Sequence, residues 1–183
     1  MIHNKVRCGK FFAYIPNWQD KQFCTCGKVE SIEHILLKCE ESKQEETWKE
    51  VMKIWKKITG LDPIEMSIDD IMAIGSIKVN DSENKVLTTE VLRTITTTAI
   101  WSIWKNRNDR IFKDKKETKE RQIETWKADL IREIEIEYEL ISQANIRRKD
   151  ELTKRFMKKW MNDLTLIRIE VNKKGKRRLI IEL

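Results

Sequence analysis

The chain has 183 residues, of which 37% are charged and 40% are hydrophobic. Seven tryptophans and many isoleucines and leucines are enough to build a core, which excludes a disordered chain, and no apolar run approaches the roughly eighteen residues of a membrane-spanning helix. The net charge of +7 lies in the second half: residues 1–95 carry 14 Lys and Arg against 15 Asp and Glu, whereas residues 96–183 carry 23 against 15.

The pattern of apolar residues predicts a mainly helical chain. Only five glycines and two prolines are present, and no proline follows Pro63. Apolar residues three to four positions apart mark most of the helices, and Gly60 and Gly75 stand where two of them would end. Ser31 and Ser67 are placed to cap helix starts. The predicted helices, in chain order, span residues 32–39, 41–59, 68–74, 86–112, 115–142 and 147–164.

The segments outside these helices are short or alternate in polarity. Residues 1–22 are rich in aromatic side chains and are expected to form a short helix or coil, and residues 76–84 are expected to form a loop. The tail alternates apolar and polar residues around NKKGKR, which predicts a β-hairpin with Gly175 in its turn.

One cluster of potential metal ligands lies near the amino terminus. Cys24, Cys26, His34 and Cys39 form a C-x-C-x7-H-x4-C pattern. The start of the chain lacks the apolar core of a signal peptide, so we expect an intracellular protein, nuclear or cytoplasmic, with reduced thiols and a metal site rather than disulfides. Zinc takes four such ligands in a tetrahedron, often from a tight turn and a helix, and Gly27 would let the chain fold back around the ion.

This ligand set favours a structural zinc site over a catalytic one, because no acidic residue accompanies an open ligand position. The alternative is that the cysteines are small buried hydrophobic residues and the histidine an ordinary core or surface residue. With the zinc site, the expected fold is mainly α, with a small zinc-stapled amino-terminal segment, a helical bundle and a short carboxy-terminal β-hairpin. Residues 1–62 would form the zinc-binding knuckle region with its helix, and residues 63–183 the basic helical region with the hairpin.

Two spacings bear on the geometry of the site. On an α-helix, His34 and Cys39 lie about 500° apart around the axis, so they do not share one face. We therefore expect Cys39 at the frayed carboxy-terminal end of its helix. The one-residue spacer of the C-x-C pair strains chelation of a tetrahedral ion, which leaves the site open to distortion, loss or completion by Cys8 or His3 in place of Cys24.

Five segments of the chain follow an order that is known from one family. FFAYIPNW, CTCG, ESIEHILLKC and TWKEVMKIW come first, and AIWSIWKNRNDRIF follows further along. They resemble the zinc-binding region at the carboxy-terminal end of reverse transcriptases from non-LTR (LINE-type) retrotransposons, especially fungal ones. The resemblance covers residues 11–59 and 88–113, and the chain departs from the family in having C-x-C where the family has C-x2-C.

The resemblance implies a reverse transcriptase zinc-binding domain with Zn²⁺ as cofactor and RNA or DNA, either element RNA or target DNA, as partner. It also implies docking to the polymerase domain of a parent protein. The polymerase and nuclease motifs of the whole family proteins are absent from this sequence, and the pair Asp69-Asp70 precedes a helix, where acidic residues favour the helix start. We therefore expect no enzyme, no small-molecule substrate and no membrane partner.

Basic residues of the second half are the candidates for contacts with the phosphates of a nucleic acid. They are, in chain order, Lys105, Arg107, Arg110, Lys113, Lys115, Lys116, Arg147, Arg148, Lys173, Lys174, Lys176, Arg177 and Arg178. Solvated helices with surface ion pairs would produce the same charge, and tryptophans at helical spacing are expected in the core. The alternative functions are a helical protein-interaction or structural domain, and an inactive retrotransposon remnant without nucleic-acid activity.

Overall fold

The computed structural model describes residues 7–77, 79, 85–161, 166–171 and 177–183, without the side chains of residues 85 and 177. Its helices are α1 (Gln44–Thr59), α2 (Ile68–Met72), α3 (Lys85–Lys113), α4 (Lys119–Gln143) and α5 (Ile146–Trp160), and its strands are β1 (Ile167–Val171) and β2 (Arg177–Ile181). Before α1 lie 3₁₀ turns at Gly9–Tyr14, Gln19–Gln22 and Glu40–Ser42, and a π-helical turn at His34–Lys38. The predicted fold class, mainly α with a carboxy-terminal hairpin and an amino-terminal Cys/His cluster, is confirmed.

The main hydrophobic core lies where α1, α3, α4, α5 and the hairpin meet. Trp55, Trp126 and Trp160 are completely buried in it. Each indole N–H finds an acceptor: Trp55 donates to the Asp62 carbonyl at 3.0 Å, Trp126 to the Thr98 hydroxyl at 3.1 Å, and Trp160 to the Glu137 carboxylate at 2.9 Å. Because α1 packs against both α3 and α4, the segments on either side of the predicted division at residue 62 contribute to one core.

Helix starts and ends follow the predicted signals in several places. Ser67 and Asp70 form a capping box at the start of α2, which gives Asp70 the helix-start role expected for this acidic pair. Gly60 ends α1 in the left-handed region, with φ of 73°. Helix α4 begins at Lys119 rather than at residue 115, because Thr118 caps it by accepting from the Arg121 N–H at 3.2 Å.

One predicted core residue lies on the surface. Trp101 is 51% exposed on α3, although it belongs to the most apolar run of the chain. Helix α3 packs against α1, α4 and α5, and the face that carries Trp101 opens onto a groove shared with Arg93 and Arg132. The expectation that Trp101 is part of the core is therefore wrong.

The hairpin packs its first strand on the helical core. β1 and β2 pair antiparallel, with Ile167 opposite Ile181, and Ile167 is completely buried. The predicted turn with Gly175, and residues 78 and 80–84 of the predicted loop, lie outside the described residues. In the part of the chain that the structure describes, every helix is too short or too polar to cross a lipid bilayer.

Candidate metal centre

A tight reversal of the chain brings Cys24 and Cys26 together. Phe23 and Val29 form an isolated antiparallel bridge, the Cys24 N–H donates to the Lys28 carbonyl at 2.8 Å, and the Gly27 N–H donates to the Cys24 carbonyl at 2.8 Å. Gly27 has φ of 83°, a conformation that a residue with a Cβ adopts only under strain. The turn folds back within the C-x-C-G segment, so the one-residue spacer does not keep the two sulfurs apart.

The other two ligands come from a π-helical turn rather than from an α-helix. Ser31 caps its start as predicted, with its hydroxyl accepting from the His34 N–H at 3.0 Å. A π-helix joins residues five apart by its hydrogen bonds, so His34, at its start, and Cys39, directly after its end, lie about one turn apart. Cys39 then adopts an extended conformation. The expected position of Cys39 at the end of the helix is confirmed, whereas the expected α-helical separation of about 500° is wrong, because the π-helical segment is wound more widely.

Contacts from the following segment hold this π-helical turn in place. The Ser42 hydroxyl is completely buried and bonds to the Ile35 carbonyl at 3.3 Å and to the Cys39 carbonyl at 2.8 Å. The Trp48 indole N–H of α1 donates to the Leu36 carbonyl at 2.7 Å. These contacts hold the carbonyl side of the π-helical turn against Ser42 and α1.

The four predicted ligands form one compact cluster. All four ligand atoms lie within 4.8 Å of one another, with 3.3 Å between the sulfurs of Cys24 and Cys39 and 3.4 Å between the Cys26 sulfur and His34 Nε2. A tetrahedral ion bound to sulfur at about 2.3 Å would keep its ligand atoms about 3.5–3.8 Å apart. The cluster therefore has the size and the donors to hold a metal ion.

Burial protects most of the cluster from solvent. Cys24, His34 and Cys39 are buried, and Cys26 is exposed on the turn. Among the described residues Cys8 lies outside the group of potential ligands, so the structure brings Cys24 and not Cys8 to the cluster. His3, the other alternative, lies outside the described residues.

The cluster favours negative charge on sulfur. The hydrogen bond from the Cys39 thiol lowers the pKa of Cys24 to about 3, and the same hydrogen bond and burial raise the pKa of Cys39 above its usual range. The backbone N–H groups of Cys26 and Ser42 donate to the sulfurs of Cys24 and Cys39 and favour the thiolate at each. A bound cation would displace the protons that remain on these thiols.

A buried ion pair ties the cluster to α3. Glu30, directly before the π-helical segment, is 4% exposed and Arg107 is completely buried. The Arg107 Nε lies 3.1 and 2.9 Å from the two Glu30 oxygens, and an Nη2 contact completes a bidentate pair. A Cβ at Gly9, which has φ of 51°, would overlap the Glu30 carbonyl oxygen, so this corner of the fold requires glycine.

Aromatic rings surround the Arg107 guanidinium and exclude water from the pair. It lies 5.3 Å from the ring centre of Trp104, 5.5 Å from that of Phe112 and 5.8 Å from that of Phe12. Such rings attract a cation through their faces. The sequence gives no sign of this role of Glu30, because its partner lies 77 positions away on α3.

Arg110 makes the second contact from α3. Its Nη1 donates to the Glu41 carbonyl, and the residue is 5% exposed. Arg107 and Arg110 lie one turn apart and bind the chain before and after the ligands His34 and Cys39; we call this pair the α3 clamp. Arg107 and Arg110 were both expected to contact phosphates. Their burial excludes that role in this fold and makes them part of the framework around the cluster.

The remaining predicted basic residues differ in their surroundings. Lys105 is half-buried against Asp129 at 2.6 Å, and Lys113 pairs with Asp109 at 2.6 Å. Exposed side chains are found at Lys113, Lys115, Lys116, Arg147, Arg148 and Arg178. Lys173, Lys174, Lys176 and the side chain of Arg177 lie outside what the structure describes.

Fold and site together define a mainly helical protein with a candidate Cys₃His metal centre. Comparison of the chain with models of known protein families, with curated proteins and with solved structures finds no match.

Proposed function

We propose that the chain is a non-catalytic zinc-binding module that binds nucleic acid. The observation that carries the metal part is the convergence of three sulfurs and one imidazole nitrogen within 4.8 Å. Soft thiolate and imidazole ligands suit zinc, whereas calcium and magnesium take oxygen ligands. All four positions of a tetrahedral ion would be filled by protein, which supports a structural role and leaves no position for a substrate.

The proposed zinc ion would fix the fold of the amino-terminal segment. It would join the turn with Cys24 and Cys26 to the π-helical segment, whose ends are bound by the α3 clamp. Because the ligands must lose protons, zinc binding would weaken as the pH falls. An intracellular location, in the nucleus or cytoplasm, belongs to the same proposal, since reduced thiols are needed.

Metal content of the purified protein tests the zinc proposal. We expect one equivalent of zinc in the wild-type chain, and strong loss in the His34→Ala and Cys26→Ala variants. Cys8→Ala is the matched control, since this cysteine is half-buried outside the cluster. A wild-type chain without bound metal, whose thermal unfolding is unchanged by a chelator, would contradict the proposal.

The nucleic-acid part of the proposal is supported by the outer face of α5. This helix carries seven Lys and Arg against two acidic residues. Lys154 pairs with Asp150, whereas Arg147 and Lys158 form no ion pair within the described part of the chain. At helical spacing, Arg147, Lys154 and Lys158 lie on one side of α5, opposite the buried Phe156. A row of exposed cations binds phosphates largely without regard to base sequence.

The resemblance to the zinc-binding region of non-LTR reverse transcriptases supports the same proposal. It makes element RNA or target DNA the partner and leaves polymerase chemistry to other parts of a parent protein. Charge on α5 and the exposed Lys113, Lys115 and Lys116 would provide the affinity.

A salt titration of RNA binding tests this part. For the wild-type chain we expect the logarithm of the binding constant to fall linearly with the logarithm of salt concentration. The double variant Arg147→Gln/Lys158→Gln should reduce the slope by roughly two, about one for each lost phosphate contact. Lys57→Gln on α1 is the control, because it removes an exposed charge elsewhere. If the wild-type chain does not bind RNA at low salt, or if the slope of its salt dependence is near zero, the proposal of nucleic-acid binding is wrong.

A helical protein-docking domain is the second candidate function. Leu140 and Ile146, at the junction of α4 and α5, are 61% and 91% exposed. Exposed apolar side chains at one place favour a protein contact. Zinc binding without any affinity for RNA or DNA would favour this candidate.

A further inference from the structure

A surface groove lies beside the metal cluster and exposes aromatic side chains. It occupies about 840 Å³ between the 3₁₀ turn Gly9–Tyr14 and the chain that leaves the Cys24–Cys26 reversal. We call it the knuckle groove; its walls include Cys8, Lys10, Phe11, Tyr14, Ile15 and Val29. Tyr14 is 87% exposed, Phe11 45% and Val29 41%. Aromatic rings left in water at one place indicate a binding surface.

Glu30 also lines the knuckle groove, but its carboxylate is buried against Arg107, so the accessible charges of this segment at the groove are positive. Lys10 lines the groove, and the Arg7 guanidinium lies 5.6 Å from the ring centre of Phe11. Within residues 7–32, the sequence has two acidic residues: Asp20, which pairs with Lys21 at 3.2 Å, and Glu30, which is buried against Arg107. No acidic side chain of this segment is left to neutralise the cations at the groove, so an anionic partner fits it better than a basic one.

The combination of exposed rings and cations matches single-stranded nucleic acid. Proteins that bind single strands stack bases on aromatic side chains and track the backbone with cations. In a duplex the bases are already stacked on one another, so a ring on the protein has no base face to contact. An acidic peptide would satisfy the cations but would leave the ring faces without a planar partner.

Resting on the proposed nucleic-acid-binding function, we infer that the knuckle groove binds single-stranded RNA or DNA, with an unpaired base stacked on Tyr14 and adjacent phosphates on Lys10 and Arg7. Arg7 already covers a face of Phe11, so Tyr14 is the ring that is free to receive a base. Val29, on the opposite wall, pairs with Phe23 in the turn that holds Cys24. The metal cluster thereby positions one wall of the groove.

Two labelled probes separate stacking from general phosphate binding. Fluorescence anisotropy would use a fluorescein-labelled oligouridine of roughly twelve nucleotides, within the range bound by single-strand modules, and an RNA duplex of the same length. We expect Tyr14→Leu to weaken oligouridine binding about tenfold, the loss of one stacked base, and to leave duplex binding unchanged. Tyr14→Phe should bind like the wild type, since it keeps the ring.

Two controls keep the effect tied to this groove. Trp101→Leu removes another half-exposed aromatic residue, on α3 outside the knuckle groove, and should leave oligouridine binding unchanged. Tyr14 is almost fully exposed, so its replacement does not disturb the core. Thermal unfolding of each variant would verify this.

Fluorine NMR gives a second, direct measurement. The chain has two tyrosines, so 3-fluorotyrosine labelling yields two signals, and Tyr14→Phe assigns them. Tyr138 packs against Phe156 at 5.3 Å and serves as the internal reference. Oligouridine should shift the Tyr14 signal through the ring current of the stacked base, and the duplex should not.

Each outcome decides between the two proposals. If duplex and oligouridine bind equally and neither shifts the Tyr14 signal, nucleic-acid binding stands and the groove assignment is overturned. Equal loss of both probes in Tyr14→Leu would also overturn it. If the wild-type chain binds neither probe at low salt, the proposed function fails and the groove assignment fails with it.

Discussion

The metal-binding segment, residues 8–42, and the helical core of α1, α3, α4 and α5 are held together by different forces. In the helical core many apolar side chains share one interior, among them Trp55, Leu130 and Trp160. The metal-binding segment has short 3₁₀ and π-helical turns and one isolated bridge. Besides a small apolar contact of Ile35 and Leu36 with α2 and α3, it is fixed by individual polar contacts such as Glu30 with Arg107. In the helical core, many buried atoms each contribute a little to the stability. In the metal-binding segment, a few contacts each contribute a large share of it.

Removal of the proposed zinc ion should have the largest effect on stability, and this effect should be confined to one region. Structural zinc supplies about 10–16 kcal/mol to small zinc-binding peptides, and residues 23–42 have few buried apolar side chains to replace it. We expect a chelator to abolish the hydrogen-exchange protection of amides in residues 23–42, while amides of α3 and α4 remain protected. The measurement is hydrogen exchange by mass spectrometry with and without chelator.

The Cys8→Ala variant provides the control for this prediction. It should keep its metal and its protection pattern. Loss of protection throughout α3 and α4 on chelation would show that the two regions unfold as one. The claim that different forces stabilise them would then be wrong.

Breaking the buried ion pair should have the next largest effect. Arg107→Met leaves the Glu30 carboxylate buried without a partner, which costs about 3–5 kcal/mol of the free energy of unfolding. Replacing both residues, as Glu30→Leu/Arg107→Met, should recover much of this loss, because no unpaired charge then remains. Urea unfolding of the metal-loaded protein measures both.

Lys105→Met is the matched control on the same helix. It breaks the half-exposed pair with Asp129 and should cost less than about 1 kcal/mol. If Arg107→Met costs no more than Lys105→Met, the ion pair does not hold the metal-binding segment on α3.

A cavity in the helical core should destabilise the protein without changing the metal site. Leu130 on α4 is completely buried, and Leu130→Ala should cost about 3 kcal/mol. Because the residue belongs to the main core and not to the Cys/His cluster, we expect zinc affinity, measured by competition with a chromogenic chelator, to stay within about twofold of wild type. A large fall in zinc affinity would mean that a change of packing in the helical core alters the geometry of the Cys/His cluster.

The helical core could be predicted because the residues that specify each helix lie within that helix or directly beside it. Apolar residues repeat at helical spacing along α1 and α4, and Gly60 and Ser67 mark boundaries within a few residues of the helices they close or open. Trp101 shows the limit of this signal. Helix α3 is apolar over much of its circumference, so periodicity does not specify which of its faces is left open to solvent.

The Cys/His cluster was predictable in its members but not in the contacts that support it. Sulfur and imidazole side chains in close spacing mark Cys24, Cys26, His34 and Cys39 as candidate ligands from sequence alone, and the structure brings these four together. The π-helical turn depends on bonds from Ser42 and Trp48, and Glu30 meets Arg107 across 77 positions of the chain. Such long-range partners leave no periodic signal, which is why Arg107 was assigned to a phosphate rather than to a carboxylate.

The smallest predicted effect concerns α2, where the two regions meet, since Ile71 packs with Ile35 and Ile103. Hydrogen bonds from the Ser67 side chain and backbone hold the pKa of Asp70 below its usual 3.8. A lowered pKa in the folded state stabilises the fold above pH 3.8, and this contribution is lost as the pH falls through the folded pKa.

The pH dependence of the capping box at α2 can therefore be compared with that of a helix cap that has no carboxylate. We expect the Tm difference between wild type and Ser67→Ala to be largest near neutral pH and to narrow as the pH falls below about 4. Asn145→Ala removes the α5 cap, whose first turn has no acidic residue, so its Tm difference should stay constant over that range. If the Ser67→Ala difference also stays constant, Asp70 does not stabilise this junction through its charge. The contribution of α2 to the link between the two regions would then rest on the packing of Ile71.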